Sequence, residues 1–276
     1  MINSCGIVLI DKPRGISSAG CVGQIRRMLR GVKVGHGGTL DPDATGLLVL
    51  FIGKATALCD LVMDGEKGYE GEILAGTVTT TDDISGEIIR EDTEKAIQVL
   101  KEADLEKISK HFQGDLLQYP PQVSAVKIDG KRAYLRARKG ETFTTNPRLV
   151  HISELTLSRP MYTSWYADTR NTSMPGKGFD SNSDYIIRYK IRCSKGTYVR
   201  SLARDIGEYL NCGATVVSIR RTLATPFSID DAIRLEDLNS PESIKVLPWH
   251  YPFGDAPRLA ISNDDLAKSL NGHQTV

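Results

Sequence analysis

The chain has 276 residues, 40% hydrophobic and 25% charged, with a formal net charge of +1. Those proportions suit a globular protein that buries a core, and no apolar run approaches the ~20 residues a membrane helix requires. Cys5, Cys21, Cys59, Cys193 and Cys212 are odd in number and lack C-x-x-C spacing, so neither a disulfide framework nor a zinc site is indicated; with no basic-then-apolar leader pattern, the cytoplasm is the expected compartment.

Taken in chain order, Ser17 or Ser18 is placed to cap a helix running to about Arg30, where Gly31 stops it. A glycine-rich segment, Gly35 to Gly46, leads into the apolar strand Leu47 to Ile52. Ala55 to Met63 reads as a short helix closing near Gly65. Tyr69 to Ala75 and Gly86 to Arg90 read as strands around the polar turn Thr79 to Asp83. Residues 93–103 and 105–113 have helical character, the second ending at Gly114. Leu149 to Leu157 alternates as a strand does. Residues 158–184 are dense in Ser, Thr, Asn, Asp, Gly and Pro and read as a long polar loop.

The clearest strand is Tyr185 to Cys193, where Tyr185, Ile187, Tyr189, Ile191 and Cys193 share one face and Arg188, Lys190 and Arg192 the other. A helix follows, with Val199, Leu202, Ile206 and Tyr209 or Leu210 on one stripe and Gly213 beyond its end. Strands and helices mix without a regular βαβ beat, which predicts an α+β fold whose central sheet is mixed, largely antiparallel and flanked by helices.

The net charge hides segregation along the chain. Residues 12–40 hold Lys12, Arg14, Arg26, Arg27, Arg30 and Lys33 with no acid, and residues 185–204 hold Arg188, Lys190, Arg192, Lys195, Arg200 and Arg204 with none. A third cluster, Lys127, Lys131, Arg132, Arg136, Arg138 and Lys139, is interrupted only by Asp129. Such runs are either solvated faces or the footprint of a polyanion, and three of them favour RNA.

Chemistry is expected at Asp41, in Gly35-His36-Gly37-Gly38-Thr39-Leu40-Asp41-Pro42-Asp43-Ala44-Thr45-Gly46. The glycines permit close approach and positive φ, and Pro42 biases Asp41 away from helix, so the carboxylate is presented. As an isolated pair, Asp-Pro is ordinary turn chemistry. The whole stretch, however, resembles the catalytic motif of the bacterial tRNA pseudouridine-55 synthases, the TruB family, which carries Thr or Ser where this chain has Gly37. Residues 6–18, Lys67-Gly68-Tyr69-Glu70, Cys193 to Leu202 and Ser218-Ile219-Arg220-Arg221 resemble further motifs of that family in the same order.

The resemblance implies the pseudouridine synthase fold over residues 1–250 and conversion of the uridine at position 55, in the T-loop of tRNA, to pseudouridine, without metal or cofactor. It makes Asp41 the catalytic group, starting the reaction by attack on the sugar or by removal of a sugar proton. Arg200 would pair with Asp41; a phosphate contact is the alternative. Tyr69 would stack on the flipped uracil and handle its C5 proton, with Tyr198 and Ile219 lining the pocket; by composition alone Ile219 reads as core. His36 would insert into the RNA loop, and Lys12 would contact phosphate or form a structural salt bridge.

Residues 120–148 resemble a thumb insertion whose basic side chains, Lys127, Lys131, Arg132, Arg136, Arg138 and Lys139, would grip the T-arm backbone. Pro257 to Val276 resembles the opening of a PUA-type RNA-binding module, and about twenty residues are too few to bury a core of their own; the segment 251–276 is expected to be a reduced or truncated form of it. The expected partner is tRNA, bound by a monomer with no obligatory protein partner. Alternatives are a guide-RNA-dependent synthase subunit and a non-catalytic RNA-binding or folding factor on the same scaffold.

Overall fold

A computed structural model describes residues 5–122, 127–128, 131–132, 145–159 and 185–254. The strands are β1 (Gly6–Lys12), β2 (Val34–His36), β3 (Thr45–Ile52), β4 (Lys67–Ala75), β5 (Thr77–Thr79), β6 (Ile88–Glu91), β7 (Gly114–Gln118), β8 (Lys127–Ile128), β9 (Lys131–Arg132), β10 (Arg148–Ser158), β11 (Ile186–Cys193), β12 (Ala214–Ala224), β13 (Phe227–Ser228) and β14 (Ile233–Arg234). The α-helices are α1 (Ser18–Met28), α2 (Cys59–Val62), α3 (Thr93–Glu102), α4 (Leu105–His111) and α5 (Val199–Tyr209). Most of the thumb-like segment 120–148, the polar loop 158–184 and the segment 251–276 lie outside the described residues, and with them Arg136, Arg138 and Lys139.

One large sheet in the order β14-β1-β3-β12-β4-β11-β10-β7 organises the molecule, with β2 added to β3 and β13 to β12. Two junctions are parallel, β1 with β14 and β12 with β3; the rest are antiparallel, so the α+β class with a mixed sheet is as expected. Strand β3 shows why the apolar run Leu47 to Ile52 must be central. Leu48, Leu50 and Ile52 pack with Cys21, Ile25 and Leu29 of α1 and its end, while Leu47, Val49 and Phe51 pack with Ala55, Val62 and Phe227 on the other face. A strand covered on both sides reads as a continuous hydrophobic run.

Beyond β12, the face made by Ile73, Ile187, Tyr189 and Ile191 is sealed by α3, α4 and the stripe Val199, Leu202 and Ile206 of α5. Helix α1 starts where Ser17 accepts the Gly20 N–H at 3.0 Å, which satisfies an otherwise orphaned donor. The predicted helix at 55–63 is instead a 3-10 stretch, Gly53–Leu58, followed by the single turn of α2.

Strand β12 joins the two halves of the sheet. It runs parallel to β3 through Arg220↔Thr45 and Arg221↔Gly46, and antiparallel to β4 with irregularities at Val216/Ser218 and Arg221/Leu223. Gly46 has φ +98°, and a Cβ there would lie 2.3 Å from the Arg221 carbonyl oxygen; only glycine lets β3 begin so close to β12.

The acid-poor run 185–204 is matched by acids in space. Arg188 pairs with Glu72 at 3.3 Å, Arg192 with Glu154 at 3.7 Å, Lys195 with Asp64, and Arg204 with Asp82 at 3.1 Å and Asp205 at 3.0 Å. The run that lacks acids in sequence is therefore partnered in space, by Glu72 of β4, Glu154 of β10, Asp64 before β4, Asp82 of the turn after β5 and Asp205 of α5. Arg26, Arg27, Arg30 and Lys33 are exposed on and after α1.

Candidate active site

The segment between β2 and β3 is held at the two residues flanking Asp41. The Ser18 hydroxyl accepts the Leu40 N–H at 2.8 Å and donates to the Leu40 carbonyl at 3.0 Å. The Pro42 carbonyl accepts from the Gly15 N–H at 2.9 Å and from the Lys12 ammonium at 3.0 Å. With neighbours fixed on both sides, the Asp41 side chain stays 47% exposed while meeting Arg200, whose Nη2 lies 3.0 Å from Asp41 Oδ2.

Arg200 sits in the first turn of α5 with its side chain only 8% exposed. Its other arm, Nη1, donates to the Thr81 carbonyl and to Asp83 Oδ2, both at 3.2 Å. The polar turn after β5 thus fixes the guanidinium that faces Asp41, a use of the planar fork that an ammonium could not reproduce.

Asp41, Tyr69, Tyr198, Arg200 and Ile219 line one cleft of about 300 Å³, together with Lys67 and Arg221. Tyr69 projects from β4, half-buried. Burial pushes its phenol above the ordinary range, and the charge of the buried Arg221 works in the opposite sense. Tyr198 precedes α5 and is clamped by Gln118, which accepts its N–H at 2.7 Å and donates to its carbonyl at 3.0 Å. Ile219 is half-buried and packs against the core while also lining the cleft, so both readings of it have a basis.

A sequence profile described as TruB family pseudouridylate synthase (N terminal domain) matches residues 26–199, and one described as tRNA pseudouridylate synthase B C-terminal domain matches residues 200–243. The chain belongs to the TruB family. It is a pseudouridine synthase, an isomerase. It is 41% identical over 234 residues to a tRNA pseudouridine synthase B of Prochlorococcus marinus, covering 85% of this chain and 67% of that protein. It is 37% identical over 274 residues to the enzyme of that name from Dinoroseobacter shibae, covering 97% and 82%. Among solved structures, a Cbf5-Nop10-Gar1 complex contains a chain that superposes with a TM-score of 0.57 at 25% identity, covering 92% of this chain and 57% of that one.

Two residues singled out on the TruB resemblance do not line the cleft. Lys12 is fully buried, its ammonium donating to the carbonyls of Pro13 at 2.9 Å, Ile16 at 2.8 Å and Pro42 at 3.0 Å. Desolvation lowers its pKa to about 8. The expected phosphate contact, and the salt bridge offered beside it, are thus replaced by a carbonyl cage that anchors the Asp41 segment. His36 ends β2, half-buried, its Nδ1 enclosed without a hydrogen-bond partner and its pKa lowered by burial and then by the Arg221 charge. Lys127 pairs in register with Arg132, and Ile128 with Lys131, on the β8–β9 ribbon.

Sequence reading overlooked Arg221, Lys67, Asp83 and Gln118. Arg221 had a signal: it lies two residues beyond Ile219, and that spacing puts both on one face of a strand. Lys67, two residues before Tyr69, has the same relation, and its ammonium is held by the carbonyls of Met63 at 3.0 Å and Gly65 at 2.5 Å. Among the described residues, no group of three or more His, Cys, Asp or Glu side chains is arranged to hold a metal ion, and no helix is long and apolar enough to cross a membrane.

Proposed function

We propose that the protein isomerises the T-loop uridine of tRNA, position 55, in the cytoplasm, as a monomer that needs neither guide RNA nor cofactor. The observation that carries this reading is the exposed Asp41 carboxylate, paired with a buried, doubly anchored Arg200 at a cleft that Tyr69 also lines. The relatives named tRNA pseudouridine synthase B support tRNA as substrate.

In this reading the uridine leaves its stack at a cost of a few kcal/mol, which stacking on Tyr69 offsets by ~1–3 kcal/mol. Asp41 then attacks the sugar or removes a sugar proton. The bond from N1 to C1′ breaks, the uracil turns within the cleft, and C5 bonds to C1′; C5 loses a proton and N1 gains one, so the formula is unchanged. Arg200 offers a fixed positive charge to Asp41 throughout, an arrangement that needs no reorganisation during the reaction. Lys127, Lys131, Arg132, Arg136, Arg138 and Lys139 are proposed to hold T-arm phosphates, with affinity that falls steeply as salt rises.

The test is incubation of a bare T-arm hairpin with the protein, followed by carbodiimide labelling and primer extension. One stop at the T-loop uridine is expected. No product without an added guide would favour the guide-dependent alternative, tight binding without product a non-catalytic factor, and free uracil a hydrolase.

A further inference from the structure

Arg221 has no part in the mechanism above, yet its surroundings are those of a built element. It is 2% exposed, and among the described residues no carboxylate pairs with it. Its Nε donates to the Leu47 carbonyl at 2.6 Å and its Nη2 to the Gly38 carbonyl at 3.3 Å, and its charge acts on the Tyr69 phenol. A buried cation with only carbonyl and phenol oxygens around it is costly to maintain, and an apolar side chain of similar length would avoid that cost.

Gly38 and Leu47 bracket the segment that carries Asp41, so one guanidinium holds both of its ends. The backbone of the same residue abuts Gly46, where β3 begins. On the other side Arg221 is in register with Tyr69 across the β12–β4 ladder.

We infer that Arg221 is a positioning residue that sets the Asp41 segment and Tyr69 in register with each other through a single buried guanidinium. The inference rests on the reading that Asp41 and Tyr69 meet the uridine.

Single-turnover conversion of the T-arm hairpin, with hairpin affinity measured in parallel, tests it in the full-length protein. Arg221→Ala is expected to slow conversion about 100-fold or more at saturating RNA, and to change affinity by less than about threefold, because phosphate contacts dominate binding. Ethylguanidinium supplied in solution should return part of the lost rate, which would not happen had the substitution merely loosened the fold. Arg221→Lys should recover less than about a tenth of the wild-type rate, since a compact ammonium cannot span the Leu47 and Gly38 carbonyls that the guanidinium reaches through two separate nitrogens. Adding Tyr69→Phe to Arg221→Ala should cost far less than it does in the wild type.

Conversion within about threefold of wild type, the absence of any guanidinium rescue in a folded variant, or independent Tyr69 and Arg221 effects would each overturn the inference. Should Arg221→Ala fail to fold, the coupling to Tyr69→Phe is read in Arg221→Lys, which keeps the buried charge. An inactive wild type would sink the underlying reading and this inference with it; an active wild type with unimpaired Arg221 variants would sink this inference alone.

Discussion

Two turns deliver an aspartate to Arg200, and they treat the carboxylate differently. Asp83, on the turn after β5, gives Oδ2 to Arg200 at 3.2 Å while its Oδ1 accepts the Thr81 hydroxyl at 2.7 Å, the Ser85 N–H at 2.9 Å and the Ser85 hydroxyl at 2.5 Å. Asp41, on the segment before β3, meets Arg200 at 3.0 Å, with its flanking backbone rather than its side chain tied down. The same residue type against the same cation is thus a fixture in one turn and an available group in the other. What separates them is how many donors already occupy the carboxylate oxygens.

The most direct way to break this comparison is to neutralise each aspartate in turn. Asp41→Asn is expected to lower conversion by at least ~10⁴-fold, the scale of removing a reacting group, with hairpin affinity retained. Arg200→Lys should cost ~10²-fold, because a point charge cannot face Asp41 while also holding Thr81 and Asp83. Asp83→Asn should cost only about tenfold, through a less firmly held Arg200. Single-turnover rates give all three values, and an Asp83 effect equal to that of Asp41 would dissolve the distinction.

A subtler attack leaves both carboxylates in place and disturbs the Asp41 side alone. A Cβ on Gly37 would lie 2.3 Å from Met63 Cγ, 2.6 Å from its Sδ and 2.9 Å from Phe51 Cε2. Met63, which lines the cleft, thus fills the space that a side chain at position 37 would need. Gly37→Thr should lower unfolding free energy by ~1–3 kcal/mol, and adding Met63→Ala should restore more than half of the loss. Denaturant midpoints of the single and double variants decide it; equal destabilisation in both would show that Met63 is not the obstacle.

Those variants also mark what was legible in the chain. The helix 18–28, the strand 186–193 and the helix 199–209 were readable because their apolar periods are unbroken and end at caps or glycines. The nearness of Arg200 to Asp41 came from the TruB resemblance, not from spacing. Strand β12 escaped because its two register irregularities shift the alternation, and because Arg220 and Arg221 sit at its centre. Strand β7 inverts the expected pattern, with Leu117 exposed and Gln118 buried to hold Tyr198. Lys12 misled for a different reason: its cage includes a carbonyl thirty residues away at Pro42, which no local pattern reports.

Acid should separate the two turns with opposite signs. On the Asp41 side, burial and the Arg221 charge lower the pKa of His36 from 6.5. Below that value the unfolded chain binds a proton that the folded chain resists, so stability is full above about pH 6.5 and is lost as pH falls through the lowered folded pKa. On the other side, burial raises the Asp82 carboxyl above 3.8 despite Arg204. There the folded chain takes up its proton first, so stability is full below about pH 3.8 and is lost as pH rises through the raised folded pKa. His36→Gln should therefore flatten the fall in urea midpoint between about pH 7 and about pH 5, and Asp82→Asn should leave that fall intact while removing the opposing gain at lower pH. The effect is the smallest of the set, since each change touches one titrating group. Equal slopes in wild type and His36→Gln would mean that the enclosed imidazole is not what makes the Asp41 side acid-sensitive.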